Sequence, residues 1–309
     1  MCIIDSALSY RHTPLQDLHN HPVVERAGVR LLIKREDLNH SQASGNKWWK
    51  LKYNLQAVAA TSTRTLVTFG GPYSNHIYAT AAAASALGLK SIGIIRGEEH
   101  TPLNPTLQFA VEKGMLLHYV DRDTYRNKSS QHFEEWIDKH FGNVIVIPEG
   151  GSNLLSVKGC AEFAKNELQA ISFDHFYLAV GTGGTMAGII CGLENKKSIM
   201  GIPVLKGGGF LKDTIAGFVH EFSRRTYDNW ALLTEFHHGG YGKTNKELTG
   251  FIEQMGTQYN IPLDHVYTGK LLWAVMRQIE DGAFRRGETI LVLHSGGLQG
   301  SRMLAQPGS

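Results

Sequence analysis

One segment is the most informative about the fold of this chain: Phe176-Tyr177-Leu178-Ala179-Val180-Gly181-Thr182-Gly183-Gly184-Thr185. In it an apolar run ends in a glycine- and threonine-rich turn. Residues 186–193 follow and are again apolar, so the sequence predicts a strand, a tight turn and a helix in succession. The first turn of a helix has unpaired backbone N–H groups and the positive end of the helix dipole. Since glycines allow close approach and threonines add donors, this turn is predicted to bind an anion.

A second turn of this kind is Gly70-Gly71-Pro72-Tyr73-Ser74-Asn75-His76, between the apolar residues 65–69 and the alanine-rich residues 79–87. Two alternatives are a tight turn without a ligand and a dinucleotide-binding loop. The Gly181 turn lacks the third glycine of G-x-G-x-x-G, and no acidic residue closes a following strand at the expected distance. The sequence therefore favours a phosphate monoester over a dinucleotide.

Apolar segments that are typical of strands alternate with helical segments along most of the chain. This alternation predicts an α/β fold with mainly parallel sheets that are covered by helices on both faces. The glycine-rich residues 148–153 indicate a domain crossing, so we expect a small α/β domain at 51–149 and a larger domain formed by 1–50 and 150–309. The predicted strands are residues 30–34, 66–69, 91–95, 116–120, 144–147, 176–180 and 289–293.

The composition favours a small ligand. The net charge is only +3 over 309 residues and the basic residues are scattered, which argues against nucleic acid or an anionic membrane as partner. The cysteines Cys2, Cys160 and Cys191 have no C-x-x-C spacing and are odd in number, as expected in a reducing cytosol. No segment has the pattern of a signal peptide or membrane span, and the histidines do not follow zinc-binding spacing. We expect a cytoplasmic protein without a metal.

A lysine lies on a small-residue turn, Ala43-Ser44-Gly45-Asn46-Lys47, ahead of a segment with helical character and after Lys34-Arg35-Glu36-Asp37. Turns of this kind are also common before helices that have no ligand. Together with the two turns described above, it indicates a lysine that holds a cofactor.

With Lys47, the Ser74-Asn75-His76 turn and the Gly181 turn in this order, the sequence resembles pyridoxal-phosphate (PLP) enzymes of tryptophan-synthase-β type, fold type II. More specifically, it is similar to the 1-aminocyclopropane-1-carboxylate (ACC) deaminase and D-cysteine desulfhydrase family. The resemblance covers nearly the whole chain. The further matching segments are Thr13-Pro14-Leu15, Lys34-Arg35-Glu36-Asp37, Arg96-Gly97-Glu98-Glu99, Pro148-Glu149-Gly150-Gly151, Gly240-Tyr241-Gly242, Val266-Tyr267-Thr268-Gly269-Lys270 and His294-Ser295-Gly296-Gly297.

The resemblance implies a role for each matching residue. Lys47 would bind the cofactor as a Schiff base and move the α-proton of the substrate. Asn75 would face the phenolic oxygen of the cofactor, and Ser74 would hold the substrate carboxylate. Tyr241 and Tyr267 would line the substrate side with Ser74, Asn75 and His76, and could assist proton transfer. The cofactor phosphate would be held by Gly181, Thr182, Gly183, Gly184 and Thr185.

Three positions bear on the substrate. The family's ACC deaminases have glutamate, leucine and glutamine where this chain has Thr268, Ser295 and His76. Opening the cyclopropane ring of ACC requires a strong electron sink, which a carboxylate at the ring nitrogen supports better than a hydroxyl. With Thr268 and Ser295 near that nitrogen, the resemblance favours β-elimination from D-cysteine.

The expected protein is a cytoplasmic, homodimeric PLP-dependent lyase that converts D-cysteine to pyruvate, ammonia and sulfide. Trp48-Trp49, Lys52 and Lys243 depart from the family pattern. Two alternatives share the cofactor: an ACC deaminase, and a PLP-binding protein without turnover in which Trp48 and Trp49 crowd the lysine. A third is a nicotinamide-dependent oxidoreductase that uses the Gly181 turn.

Overall fold

The computed structural model describes residues 8–299, so Cys2 lies outside the described residues, while Cys160 and Cys191 are buried free thiols. Ten strands occur in this range. They are β1 (Leu15–Asp17), β2 (Arg30–Lys34), β3 (Thr65–Gly70), β4 (Lys90–Arg96), β5 (Met115–Val120), β6 (Ile145–Ile147), β7 (His175–Val180), β8 (Ser198–Pro203), β9 (Trp230–Leu232) and β10 (Thr289–Leu293).

The strands form two sheets. The larger has the order β1-β2-β10-β7-β8-β9, and the smaller has the order β5-β4-β3-β6. All pairings are parallel except that of β1 with β2. The carboxyl ends of β7 and β3 lead directly into the Gly181 and Gly70 turns, so each turn lies at the edge of a sheet where ligands of open α/β folds bind.

Eleven α-helices are found within residues 8–299. They are α1 (Pro22–Ala27), α2 (Asn46–Ala59), α3 (Asn75–Ala86), α4 (Pro105–Glu112), α5 (Arg122–Arg126), α6 (Gln131–Phe141), α7 (Leu154–Phe163), α8 (Gly184–Leu193), α9 (Leu211–Ser223), α10 (Lys246–Tyr259) and α11 (Thr268–Glu280). In that range no helix combines the length and the apolar character needed to cross a membrane.

Helices cover both faces of the larger sheet. Side chains alternate along a strand, so Leu32 points to one apolar core with α2, α7 and α8, while Leu31 and Ile33 point to another with α11. The smaller sheet has the same arrangement, with Val67 and Phe69 against α6 and Ile95 against α3 and α4. The α/β fold class with mainly parallel, helix-covered sheets is confirmed.

The division into two sheets follows the chain. The smaller sheet contains residues 65–147, and the larger contains strands from both sides of that range. We propose that the domain boundaries lie at 50/51 and 149/150, where α2 and the 3-10 helix Glu149–Gly151 connect the two parts.

Candidate active site

Lys47 lies in the first turn of α2, and the turn before it requires glycine. Gly45 has φ +70° and ψ −146°, a combination that residues with a side chain rarely adopt. A Cβ atom at this position would lie 1.8 Å from the carbonyl oxygen of Ser295. Asn46 donates from its backbone N–H to the same oxygen at 3.2 Å, so the lysine turn rests directly on the segment that follows β10.

A buried polar network holds this turn from behind. The side chain of Asn39 accepts from the N–H of Gly45 at 2.8 Å and donates to its carbonyl at 3.0 Å. Asn39 also donates to the carboxylate of Glu36, which accepts a further hydrogen bond from the indole of Trp49. The Lys34-Arg35-Glu36-Asp37 segment therefore supports the lysine turn instead of contacting a ligand.

Trp48 and Trp49 belong to the core. They are 3% and 4% exposed, pack on each other at 4.8 Å between ring centroids, and do not line the cavity in front of Lys47. Trp48 donates from its indole nitrogen to the carbonyl of Leu8 at 2.8 Å. The crowding that suggested a protein without turnover is thus absent.

Lys47 and Lys50 are three residues apart on α2 and therefore project from the same helix face. Both line a cavity of about 940 Å³ between the two sheets. Burial lowers the pKa of Lys47 to about 8 and that of Lys50 to about 7, and the charge of Lys47 adds to the effect on Lys50. A substantial fraction of the Lys47 amine is consequently neutral near pH 8, as a nucleophile or base requires.

The Gly181 turn forms a cradle beside these lysines. The N–H groups of Gly184, Thr185 and Met186, at the start of α8, have no acceptor within residues 8–299. The ammonium of Lys50 donates to Ser152 at 2.7 Å and lies 3.4 Å from the hydroxyl of Thr182. The turn therefore offers backbone donors at the start of α8 and side-chain donors around Lys50.

Close packing below the cradle explains one of its glycines. A Cβ on Gly184 would lie 2.9 Å from the hydroxyl oxygen of Ser152 and 3.1 Å from that of Ser156. The hydroxyl of Thr185 accepts a hydrogen bond from the side-chain nitrogen of Asn46 at 2.9 Å. This hydrogen bond joins the cradle to the lysine turn, so the two predicted cofactor-binding segments are parts of one site.

The residues present fit a phosphate monoester with an aldehyde-bearing ring. The helix N-terminus, hydroxyls and Lys50 supply donors for the phosphate, and the negative charge of a bound phosphate would favour the protonated form of Lys50. Lys47 supplies an amine with a lowered pKa in the same cavity. Lys50 and Ser152 were missed by the sequence analysis. The spacing of Lys47 and Lys50 on a predicted helix was a signal that could have revealed the second lysine.

A second helix N-terminus faces the cavity from the smaller sheet. The hydroxyl of Ser74 caps α3 by accepting from the N–H groups of His76 and Ile77 at 3.2 and 3.3 Å. The N–H of Asn75 has no acceptor within residues 8–299. Gln299, another residue missed from sequence, donates to the side-chain oxygen of Asn75, so the amide nitrogen of Asn75 remains as its donor.

His76 lines the cavity with its ring but is 2% exposed. Its Nε2 lies 2.7 Å from the hydroxyl of Thr68, which donates its proton to the carbonyl of Ile147. Thr68 must therefore accept from His76, which places the imidazole proton on Nε2. Burial also lowers the pKa of His76 well below its ordinary value, so it contributes a neutral wall and not a charged substrate contact.

Tyr241 and Tyr267 line the cavity next to each other. Their rings are 6.0 Å apart in an edge-on arrangement, and the hydroxyl of Tyr267 lies 3.5 Å from that of Tyr241. Burial raises the pKa of Tyr267 well above its ordinary value, so its hydroxyl remains protonated and can act as a donor.

Thr268 lies behind the cavity wall. It is 1% exposed and does not line the cavity; its hydroxyl donates to the carboxylate of Asp264 at 2.6 Å and accepts from the N–H of that residue at 2.9 Å. Asp264 also accepts from the N–H groups of Val266 and Tyr267. Thr268 thus fixes the start of α11, while Ser295 lines the cavity.

The cavity brings together most of the residues that the sequence pointed to. Gly184 and Thr268 lie behind the wall. The predicted residues that line the cavity are Lys47, Ser74, Asn75, His76, Gly181, Thr182, Gly183, Thr185, Tyr241, Tyr267 and Ser295. Within the described range, no group of three or more histidine, cysteine, aspartate or glutamate side chains is arranged to hold a metal ion.

Comparison with known sequences finds matches over most of the chain. Residues 7–296 match the family model described as "Pyridoxal-phosphate dependent enzyme". A protein of Pyrococcus abyssi, provisionally named a 1-aminocyclopropane-1-carboxylate deaminase, is 30% identical over 301 residues, which cover 93% of this chain and 90% of that protein. The mitochondrial bifunctional D-cysteine desulfhydrase/1-aminocyclopropane-1-carboxylate deaminase of Arabidopsis thaliana is 29% identical, with 88% of this chain and 73% of that protein covered.

Comparison with solved structures agrees. The crystal structure of an ACC deaminase homologue superposes with a TM-score of 0.84 at 28% identity, covering 97% of this chain and 96% of that one. A hydrogen sulfide-producing enzyme of Fusobacterium nucleatum shares the fold, with a TM-score of 0.68 at 15% identity over 95% of this chain and 97% of that one.

Proposed function

Since this chain belongs to the pyridoxal-phosphate dependent enzyme family, we propose that it is a lyase that removes the β-substituent of a small amino acid, with D-cysteine as its favoured substrate. The products would be pyruvate, ammonia and sulfide. The observation that carries this proposal is the position of Lys47, a largely buried amine with a lowered pKa in a cavity that an anion cradle shares.

The cofactor is pyridoxal phosphate, and this chain offers groups for each part of it. Lys50, Thr182 and the start of α8 would hold the phosphate, Lys47 would bind the aldehyde carbon, and Asn75 would donate to the phenolic oxygen. When bound, the cofactor supplies the electron sink that makes the α-proton of an amino acid removable.

The start of α3 would bind the carboxylate of the substrate. The free N–H of Asn75 and the positive end of the helix dipole favour an anion there. His76, which is neutral and fixed by Thr68, shapes the wall behind that position. The start of α3, the phosphate cradle and Lys47 all line the same cavity, so a substrate held at this helix end would share that cavity with the bound cofactor.

The amine of Lys47 would accept the α-proton of the substrate. A pKa of about 8 provides the neutral form near physiological pH while keeping the amine basic enough to receive a proton. Tyr267, whose hydroxyl stays protonated, would donate to the departing sulfur with Tyr241 beside it. A thiolate is a good leaving group, so modest assistance suffices.

ACC deaminase is the second candidate, because the relatives named above carry that activity in their names. We favour D-cysteine because Thr268 occupies the position of the glutamate of the family's deaminases, and Ser295, which lines the cavity, occupies that of their leucine. The nicotinamide alternative is set aside by the family match. The homodimer and the cytoplasmic location stay predictions.

The test is an absorbance spectrum of the purified protein before and after D-cysteine, with sulfide and pyruvate assayed in the same sample. We expect a visible band that changes with substrate and formation of both products. Lys47→Ala should lose the band and the products, while Lys158→Met, an exposed lysine on α7, should keep both.

Two results would contradict the proposal in different ways. A visible band with 2-oxobutanoate and ammonia from ACC, but no sulfide from D-cysteine, would identify the deaminase instead. A band that no amino acid alters would favour a cofactor-binding protein without turnover. Full activity in Lys47→Ala would exclude the assigned role of that lysine.

A further inference from the structure

Arg96 is a cation on the cavity wall that none of the steps above uses. It is the last residue of β4, next to β3 in the smaller sheet, and its side chain lines the same cavity as Lys47. One of its guanidinium nitrogens lies 3.4 Å from the place that a Cβ on Gly71 would occupy. The absence of a side chain at Gly71 therefore leaves the guanidinium open toward the turn that carries Ser74.

The charge of Arg96 is not compensated by the protein. Within residues 8–299 no carboxylate oxygen lies within 4.0 Å of the guanidinium, and none of its N–H groups has an acceptor. Glu149, the nearby acidic residue of the cavity wall, is paired with Lys128 at 3.0 Å. The pair is neutral, so one net positive charge remains at this side of the cavity.

One side of the guanidinium lies near an aromatic ring, while Arg96 as a whole is exposed to solvent. The central carbon of the guanidinium lies 5.7 Å from the ring centroid of Tyr125, a cation–π distance, and Tyr125 is 3% exposed. The ring of Tyr125 contacts the ammonium of Lys128 as well, at 4.6 Å. A cation that lies near a ring on one side and has unused donors on the other can bind an anion in bidentate fashion.

We propose that Arg96 binds a second anionic group of the ligand, so that amino acids with an acidic side chain bind where D-cysteine binds and compete with it. Their side-chain carboxylate is not a leaving group, so they are bound without being converted. The position follows from the geometry of the wall. Ser74 donates from its backbone N–H to the carbonyl of Gly71 at 3.0 Å, so the Arg96 guanidinium and the start of α3 are neighbours on one turn. An α-carboxylate at α3 would place a short acidic side chain within reach of Arg96.

This inference deepens the proposed function and rests on it for the placement of the amino acid at Lys47. It predicts a specific preference for a carboxylate at Arg96, beyond a general attraction of anions to a positively charged cavity. A neutral amide of the same shape as the acidic side chain should bind more weakly, because a guanidinium pairs with a carboxylate through charge and two parallel hydrogen bonds.

The experiment measures binding of D-aspartate and D-asparagine to the PLP-loaded protein by isothermal titration calorimetry, with the L enantiomers in parallel. We expect D-aspartate to bind about 10-fold more tightly than D-asparagine, which corresponds to about 1.4 kcal/mol. Arg96→Met should remove this preference and Arg96→Lys should keep part of it. Arg126→Met, an exposed arginine paired with Asp123 outside the cavity, is the matched control and should keep it in full.

Two results would overturn the inference: equal binding of the acid and the amide by the unaltered protein, or an unchanged preference in Arg96→Met. The calorimetry does not require turnover. An Arg96-dependent preference without sulfide from D-cysteine would sustain this inference and reject the proposed reaction, while sulfide production without a preference would do the reverse.

Discussion

Lys50 has the properties of a phosphate ligand, since its ammonium lies between Ser152 and Thr182 in a buried cradle. A charge-assisted hydrogen bond to a charged group contributes about 1.5–3 kcal/mol. Lys50→Met should therefore weaken PLP binding about 10- to 100-fold while Lys47 remains available. The measurement is a titration of the apoprotein with PLP, followed by visible absorbance. Lys158→Met, on the exposed side of α7, should bind PLP normally, and equal affinity in both variants would argue against a phosphate at Lys50.

The hydroxyl of Thr268 donates a hydrogen bond to the carboxylate of Asp264, and this contact limits which side chains can replace Thr268. Thr268→Glu would bury a second carboxylate next to the first, and like charges in a desolvated site oppose ionisation of both. We expect a loss of about 3 kcal/mol or more in the free energy of unfolding, measured by urea denaturation. Thr268→Ser, which keeps the hydroxyl, should lose much less.

A double substitution separates charge from size. If repulsion dominates, Thr268→Glu combined with Asp264→Asn should be more stable than the sum of the two single effects. Additive losses would point to overpacking instead. The result also bears on attempts to change the substrate of this protein, because glutamate at position 268 would then require replacement of Asp264 as well.

At the residue scale, sequence reasoning found groups that belong to local patterns. Lys47, Ser74 and Thr182 each lie in or just after a glycine-containing turn at the start of a helix, and the structure brings all three to one cavity. The partner of Thr268 could not be found in this way, because Asp264 becomes its acceptor only through the bend of the chain before α11. Whether a hydroxyl points to a ligand or to a neighbour is decided by packing.

At the scale of elements, α11 holds the loop that carries Tyr241. Lys270 on α11 is fully buried and donates to the carbonyl of Gly240 at 2.7 Å. Lys270→Met removes this link, so Tyr241 should lose its fixed position beside Tyr267, and kcat should fall about 10-fold. The amides of residues 237–243 should exchange hydrogen faster in this variant.

The conservative variant distinguishes positioning from general damage. Lys270→Arg retains a cation and should recover part of the activity together with protection of the loop amides. If Lys270→Met keeps normal kcat and normal exchange, Lys270 does not position Tyr241. Because burial lowers the pKa of Lys270 to about 8, the open loop binds the Lys270 proton more tightly than the closed loop, so the loop should become better protected as the pH rises above that value.

The elements themselves were predicted well where the strands are long and apolar. β2 and β10 have the predicted bounds, and β3, β4, β5, β6 and β7 differ by one residue at one or both ends. β1, β8 and β9 were missed. β1 and β9 have only three residues each, and β8 contains a glycine and ends in Pro203. These three strands are therefore defined by pairing with neighbouring strands and not by their local sequence.

For the whole molecule, buried amines make the stability of the apoprotein dependent on pH. The folded-state pKa values of Lys47, Lys50 and Lys270 are about 8, 7 and 8, below the ordinary 10.5. Above these values the unfolded chain binds more protons than the folded chain, so the free energy of unfolding rises with pH. Between pH 7 and 9 the gain should be on the order of a few kcal/mol, measured by urea denaturation.

Substitution identifies the source of this dependence. Lys50→Met should flatten the rise and increase stability at pH 7, because a buried charge has been replaced by an apolar side chain. A slope identical to that of the unaltered protein would exclude Lys50. Stabilisation of the apoprotein with loss of PLP affinity in one variant would show that the site is built at the expense of stability.

The contact between Gly45 and the carbonyl of Ser295 has a consequence for biosynthesis. The turn that presents Lys47 closes only against a segment some 250 residues later in the chain, as the numbering of the two partners shows. A nascent polypeptide emerging from the ribosome contains the lysine early but lacks the wall against which it is set. Capture of the cofactor should therefore wait until residue 295 has left the ribosome, and the visible absorbance band would appear only after that point of translation.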